Sequence, residues 1–420
     1  LNAMTYLFNK IIEMYSSKIS NNLIYKLDFI NNNDLYNFNI KNERSKLYRK
    51  ILNLNSKLNV EKNKINKYYE NNCVLWDKLK KFSNEYEFVY TSSMSEFKNI
   101  SMIYPISRSY FKLWEILHDF KYLLNIDNND GTLFKTAHIA EGPGGFIECI
   151  YKYICSYYKD NIFNKIKIYG LTLLSDDINI PNWKIKKNNI KSFNIELNKR
   201  YQGNGDLYDI ENINTFINNI GYKSCNFITG DGGFDFSYNY NEQEENFIFF
   251  FISEIYLILN LLKKEGNCII KIYDIYSKNS IKLIYILTLF FNDIYILKPF
   301  TSRPANSEKY ILCNNYNDDD KLLNYMNILK DIIINKDIKL LNNNNIIIPY
   351  NFLDIIYKYN VWYTDRQIKY INKTIDLIEI NIENNNEINI ENNNEINIEN
   401  NNEINIENNN EINIENNNEI

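Results

Sequence analysis

Two periodicities alternate through the middle of the chain. Between about residues 95 and 315, short apolar runs carry the brief, β-branched character of strands: "KTAHIAEG", "KIKIYGLTLL", "CNFITGDG", "NCIIKIYDIY", "DIYILKPF" and "EKYILC". Interleaved with them are longer stretches at helical spacing: "SYFKLWEILHDF", "GGFIECIYKYICSYY", "IENINTFINNIG" and "NFIFFFISEIYLILNLLKKEG". Such alternation predicts an α/β fold built on a doubly wound sheet. Only "TSRPANS" separates the last two runs, too little chain for a crossover helix, so those two strands are expected to pair antiparallel.

The flanks read differently. Residues 1–90 are rich in Lys, Asn and Tyr with helical periodicity, predicting a helical N-terminal region ahead of a core domain at 91–315. Residues 316–375 read as a helical extension, in which "NVWYTDRQIKYINKTIDLI" is an amphipathic helix suited to bracing the domain. At 376–420 lies an acidic tail, where from Glu379 the unit "ENNNEINI" repeats with period eight. Glu at every fourth position would stack like charges on a helical face, and Asn is a poor helix former. Disorder is the expectation there, with a repeat-built β structure as the alternative. The apolar run from Asn246 to Gly266 is long enough to suggest a membrane span, but Glu254 interrupts it. A helix buried on all sides has the same look and is the expected reading.

Charge changes the picture only after the tail is set aside. The formal net charge is −5, yet the acidic residues from Asp376 onward have no Lys or Arg among them, and the body alone is about +7. A mildly basic body permits a polyanionic partner without demanding one. Cys73, Cys149, Cys155, Cys225, Cys268 and Cys313 are scattered, and the chain has two histidines, so neither a zinc site nor a disulfide framework is expected. The opening "LNAMTYLFNKIIEMY" lacks a charged start followed by a small-residue cleavage site, so no secretory signal is expected.

Three places carry candidate chemistry. "HIAEGPGGFIECI" is a strand, a Gly-Pro-Gly-Gly turn and a helix; Gly144 and Gly145 let the backbone approach a ligand, and the helix start offers free N–H groups. A cofactor loop and a plain tight turn both fit, while the absence of GxGxxG spacing and of a GKS/GKT triplet argues against a dinucleotide and a P-loop. "FITGDGGFDFS" puts Asp231 at the end of a middle strand, and "GNCIIKIYDIY" puts Lys271 inside the next. A lysine there is costly to bury unless paired, so Lys271 is expected either to reach a carboxylate, with Asp231 on the adjacent strand available, or to emerge at the strand's end. Such a pair is either catalytic or a structural salt bridge. The third place, "SRPANSEKYILC", gathers Arg303, Pro304, Asn306, Ser307 and Glu308 just ahead of the last strand.

Taken in order, "SRSYFKLWEI", "EGPGGF", "GNGDLYDIENI", "DGGFDFS", "GNCIIKIYDIYS" and "KPFTSRPANSEKYILC" resemble the FtsJ-like RNA 2′-O-methyltransferases. The resemblance is nearest to the cap-specific mRNA (nucleoside-2′-O-)-methyltransferases of eukaryotes and large DNA viruses. It covers about residues 90–315 and implies a Rossmann-like sheet with the last strand antiparallel. It also implies S-adenosylmethionine as cofactor, capped RNA as substrate, and a nuclear, cytoplasmic or viral-replication-site location. Its Lys-Asp-Lys-Glu tetrad falls on Lys112, Asp231, Lys271 and Glu308. The cofactor loop falls on Ala140, Glu141, Gly142, Pro143, Gly144, Gly145 and Phe146, and the acidic position near the adenine on Asp206 with Leu207. Asn241, Gln243, Arg303 and Asn306 fall on positions implied to touch RNA. Methylation of the first transcribed nucleotide is the leading implication; the second nucleotide, or ribosomal or transfer RNA, is the alternative, and a non-catalytic RNA-binding scaffold is another.

The tetrad has a physical logic. A ribose 2′-hydroxyl is a poor nucleophile, and a lysine accepts its proton only if the lysine's pKa is depressed, which a second lysine does by like-charge repulsion. This predicts Lys271 as base or hydroxyl-steering group and Lys112 as its electrostatic partner, with Asp231 and Glu308 holding the ammonium groups. No metal is needed for that chemistry. Two positions depart from the family pattern: His138 replaces an acidic residue and is expected to be a satisfied buried histidine. Glu141 replaces a small residue and is expected either to face the methionine end of the cofactor or to point to solvent.

Overall fold

A computed structural model describes residues 24–27, 38–71, 73–84, 86–90, 100–126, 132–233, 241–343 and 346–383. The strands are β1 (Ile24–Lys26), β2 (Phe134–Ile139), β3 (Ile166–Leu171), β4 (Ile195–Leu197), β5 (Cys225–Gly230), β6 (Leu262–Ile272), β7 (Phe291–Leu297) and β8 (Lys309–Tyr316). The helices used below are α1 (Phe38–Asn71), α2 (Ser109–Asp119), α3 (Gly145–Tyr157), α4 (Ile210–Ile220), α5 (Gln243–Leu261), α6 (Lys278–Phe290) and α7 (Tyr350–Glu383).

The strands form one sheet in the order β1-β7-β8-β6-β5-β2-β3-β4. Pairings β4–β3–β2–β5–β6 are parallel, with helices such as α3, α4 and α5 in the crossovers. The expected antiparallel pairing of the last two strands is present: β8 runs against β7 and also against β6, inserting between them. The short connection made that hairpin legible, whereas the insertion beside β6 depends on side chains brought together only by folding. The fold is thus a Rossmann-like α/β sheet whose final strand is reversed.

Burial explains the long apolar stretch. In α5 the residues from Phe247 to Leu261 are all buried, including Glu254 at 0% exposure. A helix packed on every side needs no polar stripe. Among the described residues no helix is long and apolar enough to cross a membrane. Three of the labelled elements escaped the sequence reading: α6, β1 and the three-residue β4. α6 carries few polar residues to mark its outer face, although Ser277 caps it by accepting from Ser280 N at 3.1 Å. β1 is three residues long and exists through its antiparallel pairing with β7.

The chain divides into two compact units, 1–63 with 103–369 and 64–102 with 370–420. The first contains the sheet and its core, in which Leu113, Phe146, Ile150, Phe227, Ile269 and Leu312 are buried. In the second, Thr374 Oγ1 bonds Ser83 Oγ at 2.8 Å and Tyr68 OH donates to Glu379. The acidic repeat from residue 384 onward lies outside the described residues, as do 1–23, 28–37 and the 234–240 stretch after the second glycine pair.

Candidate active site

The order of the sheet reverses at β2: β3 and β4 continue on one side, β5 and β6 on the other. In open α/β sheets the crevice outside the carboxyl ends at such a switch point receives the ligand. Two turns leave that edge side by side, Ala140–Gly145 after β2 and Asp231–Gly233 after β5, and Asp231 N donates to Ile139 O at 3.2 Å.

Glycine is dictated by contact in the first turn. Gly144 has φ +120°, and a Cβ there would lie 2.6 Å from Ile185 Cγ1. A Cβ on Gly145 would lie 2.1 Å from Ser107 Oγ and 2.3 Å from Ser109 Oγ, so its absence lets the start of α2 reach the turn. That approach matters because Lys112 sits in the first turns of α2. Glu141 does not point to solvent: it is 2% exposed, Phe146 N donates to its Oε1, and its Oε2 has no hydrogen-bond partner. The N–H of Phe146 is therefore taken from inside, because a carboxylate is favoured at a helix start. Burial, then the charge of Asp231, hold the Glu141 carboxyl well above its ordinary range. A glycine-lined turn with one unpaired buried carboxyl oxygen fits a ligand that brings hydrogen-bonding groups to it. His138 is fully buried between Thr229 Oγ1 at 2.8 Å and Thr136 Oγ1 at 3.0 Å, and burial pulls its pKa down to about 3.

The four tetrad residues form two lysine–carboxylate pairs. Lys112 Nζ lies 2.8 and 2.9 Å from the two carboxylate oxygens of Glu308. Lys271 Nζ lies 3.3 Å from Asp231 Oδ1 and donates to the Asp231 carbonyl at 2.7 Å. Ser302 Oγ donates to Glu308 Oε1 at 2.8 Å, and Tyr310 OH to Asp231 Oδ1 at 2.9 Å. Both pairs keep a little solvent contact, 11–16% per side chain. Burial alone would raise the Glu308 carboxyl, but Lys112, Lys271 and Lys298 around it outweigh that and hold it far below its ordinary range. For Lys271 burial pulls down, yet Asp231 and Glu308 prevail and raise its pKa. This corrects the expectation of a depressed lysine: in the free site the carboxylates lie nearer in effect than the second lysine, and the ammonium stays charged.

The remaining expected residues scatter around this centre. Leu207 is buried; Asp206 is half-buried and accepts from Tyr208 N at 2.9 Å. Beside them an opening beyond the end of β3 is lined by Leu171, Asn198, Gly203, Gly205 and Phe216, without Asp206. Asn241 is exposed and donates to Asn63 Oδ1 at 2.8 Å, while Gln243 accepts from Ser307 Oγ. Arg303 is half-buried and Asn306 exposed, with Asn306 N donating to Arg303 O at 3.2 Å.

Sequence reasoning missed four participants. Tyr310 lay two residues past Glu308 in an already quoted motif, at the strand spacing that returns a side chain to the same face. Lys298, 4% exposed, donates to Asn306 O at 3.0 Å, to Asn306 Oδ1 at 2.5 Å and to Glu308 O at 2.6 Å. Three acceptors match an ammonium's three donors, although burial draws its pKa well below the usual lysine value. Glu115, one turn beyond Lys112, accepts from Phe300 N at 2.7 Å and Thr301 N at 3.3 Å. Burial raises it to about 8 against those bonds. Glu254 lies beneath the second turn, 2.6 Å from where a Gly230 Cβ would be, and burial holds its carboxyl well above the ordinary range.

A sheet of this order, with its glycine turn and lysine–carboxylate pairs at the switch point, is that of a Rossmann-like methyltransferase. Residues 105–316 match the family described as FtsJ-like methyltransferase, and the chain belongs to that family. It is 26% identical over 240 residues to cap-specific mRNA (nucleoside-2′-O-)-methyltransferase 2 of Drosophila melanogaster, covering 53% of this chain and 31% of that protein. It is 28% identical over 274 residues to cap-specific mRNA (nucleoside-2′-O-)-methyltransferase 1 of Bos taurus, covering 59% and 30%. The chain thus spans about a third of the length of these relatives. Among solved structures it is similar to human methyltransferase-like protein 13 in complex with SAH, at 11% identity and a TM-score of 0.30, covering 54% of this chain and 93% of that one.

Proposed function

We propose that this chain transfers a methyl group from S-adenosylmethionine to a ribose 2′-hydroxyl of capped RNA, at the first transcribed nucleotide. The observation that carries the reading is the meeting of Lys112–Glu308 and Lys271–Asp231 beside the Ala140–Phe146 turn. The cap-specific relatives favour capped RNA over other acceptors.

S-adenosylmethionine, when bound, supplies an electrophilic methyl on a sulfonium. Ala140, Glu141, Gly142, Pro143, Gly144, Gly145 and Phe146 are assigned to hold it along the turn, where the glycines let the backbone pack closely on Pro181, Ile185 and Ser107, and Asp206 with Leu207 is assigned to the adenine end. Lys271, held charged by Asp231 and Glu308, acts by donating a hydrogen bond to the 2′-oxygen. It steers the oxygen's lone pair toward the methyl and disperses the charge that builds as the hydroxyl proton leaves. Because the hydroxyl proton becomes strongly acidic as the new C–O bond forms, no strong base is required: solvent water accepts the proton, and positioning supplies much of the rate. Lys112 holds Glu308, and Tyr310 fixes Asp231 so that Lys271 cannot swing away. Asn241, Gln243, Arg303 and Asn306 are assigned to the RNA side. Among the described residues no group of His, Cys, Asp and Glu is arranged to hold a metal ion.

The test offers the purified chain S-adenosylmethionine labelled in its methyl group, with capped, uncapped and ribosomal RNAs competing as acceptors. Label in the 2′-O-methyl nucleoside next to the cap is the expected result. Label at the second nucleotide or in ribosomal RNA would move the substrate, and no transfer to any RNA with RNA binding retained would make the chain a scaffold.

A further inference from the structure

Four consecutive backbone carbonyls in the loop ahead of β8 are each held by a buried side-chain donor. Gln367 Nε2 donates to Ala305 O at 3.0 Å, and Tyr363 OH donates to Asn306 O at 2.9 Å alongside Lys298. Lys309 Nζ donates to Ser307 O at 3.0 Å, and Lys298 Nζ to Glu308 O. The Lys309 ammonium also sits 3.8 Å over the ring of Tyr363 and pairs with Asp274 at 3.0 Å. Two of these donors, Tyr363 and Gln367, lie on α7, beyond the 105–316 span of the family match.

We propose that Tyr363 and Gln367 are positioning residues for the RNA-binding loop, so that α7 completes the substrate site although it lies outside the methyltransferase core. The inference rests on the proposed function for its substrate and on geometry alone for the clamp. Gln367 makes the case physically. It is fully buried, its Nε2 is used, and its Oε1 has no partner. A buried amide with its oxygen unsatisfied adds little net stability, since the cost of that oxygen offsets the bond its nitrogen makes. What the amide alone provides is the hydrogen bond to Ala305 O. With every carbonyl from 305 to 308 drawn to a donor, none is left free to present negative potential to a polyanion, and Glu308 is delivered to Lys112 from a loop that cannot rotate.

The experiment uses the full chain and three variants, Tyr363→Phe, Gln367→Leu and the pair. Hydrogen exchange of the 305–309 amides is measured without substrate, and KM is measured separately for RNA and for S-adenosylmethionine. Expected are exchange about tenfold faster in the loop and KM for RNA raised about five- to twentyfold in the double variant. KM for S-adenosylmethionine should stay within about twofold, with the melting temperature of Gln367→Leu little changed, the relief of the unsatisfied amide oxygen offsetting the Ala305 carbonyl left without its donor. Unchanged loop exchange, or faster exchange with KM for RNA unmoved, overturns the proposal; so does an equal rise in both KM values. If the unaltered chain methylates no RNA, the proposed function fails by itself, and loop exchange still decides the clamp. Tyr363→Phe removes a single oxygen and keeps the test open should the double variant misfold.

Discussion

The first unit holds two clusters of the same ingredients, lysines against carboxylates, in different surroundings. Lys62 and Lys309 share Asp274 at 2.8 and 3.0 Å, each side chain 1–8% exposed, closed over by the ring of Tyr363. Lys112–Glu308 and Lys271–Asp231 are nearly as buried but retain an 11–16% opening toward the crevice. In the closed cluster two cations meet one anion, and Asp274 is driven down to about 2: burial opposes its charge, but Lys62 and Lys309 prevail. In the open cluster Lys112 pairs with Glu308 and Lys271 with Asp231, each side chain keeping some contact with solvent. Buried ion pairs contribute little net stability, yet breaking one by removing a partner is costly. The same chemistry therefore acts as a fastening where it is sealed, and the proposed function uses it as a reactive surface where one side is left open.

Truncating each cluster should break the comparison in opposite ways. Lys271→Ala is expected to lower methyl transfer by about 10²- to 10⁴-fold while RNA binding stays near that of the unaltered chain. Label incorporation and filter binding measure the two, and survival of turnover would remove Lys271 from the chemistry. Asp274→Asn strands two ammonium groups and should cost about 3–5 kcal/mol in urea unfolding. A loss below about 1 kcal/mol would show that the closed cluster fastens nothing. Gly145→Ala forces Ser107 and Ser109 away from the turn at an expected cost of about 1–3 kcal/mol. Activity should fall further than stability, because the displaced helix carries Lys112.

Acid sharpens the same contrast. Asp274 has a folded pKa of about 2 against an unperturbed 3.8. The folded state thus binds fewer protons than the unfolded one in that window, and the stabilisation, whole above about pH 4, is lost as pH falls toward 2. Melting curves between about pH 5 and 2.5 should show this acid limb flattened in Asp274→Asn. Glu115 runs the other way. Raised to about 8 from 4.5, it keeps its proton when folded, so stability declines as pH rises from about 4.5 to 8. Glu115→Gln should remove that slope, read by urea unfolding at about pH 5 and about pH 8.

How much of this was readable in advance follows from what each residue's signal depends on. The strand ending in Ile139 and the helix after Gly145 carry local signals, period and glycine, and both were visible. Lys271 announced itself because a lysine amid Ile residues demands a partner, and Asp231 because glycines follow it. Lys298, Glu254 and Gln367 gave no such sign. Lys298 looks like any lysine at a strand end, Glu254 like a blemish in an apolar run, and Gln367 like the polar face of an amphipathic helix. Their importance comes from what packs on them, 62 residues away in sequence for the contact between Gln367 and Ala305.

By itself, then, the order of apolar runs and turns determined the α/β sheet, the reversed final strand and the place of the glycine turn, since these rest on backbone preferences and burial within a few residues. Tertiary structure alone decided that β8 lies between β6 and β7, that Lys271 stays charged, and that a helix from beyond the methyltransferase core grips the loop carrying Glu308. Electrostatics in a buried site depends on distances among groups the chain keeps far apart, and only the folded backbone sets those distances.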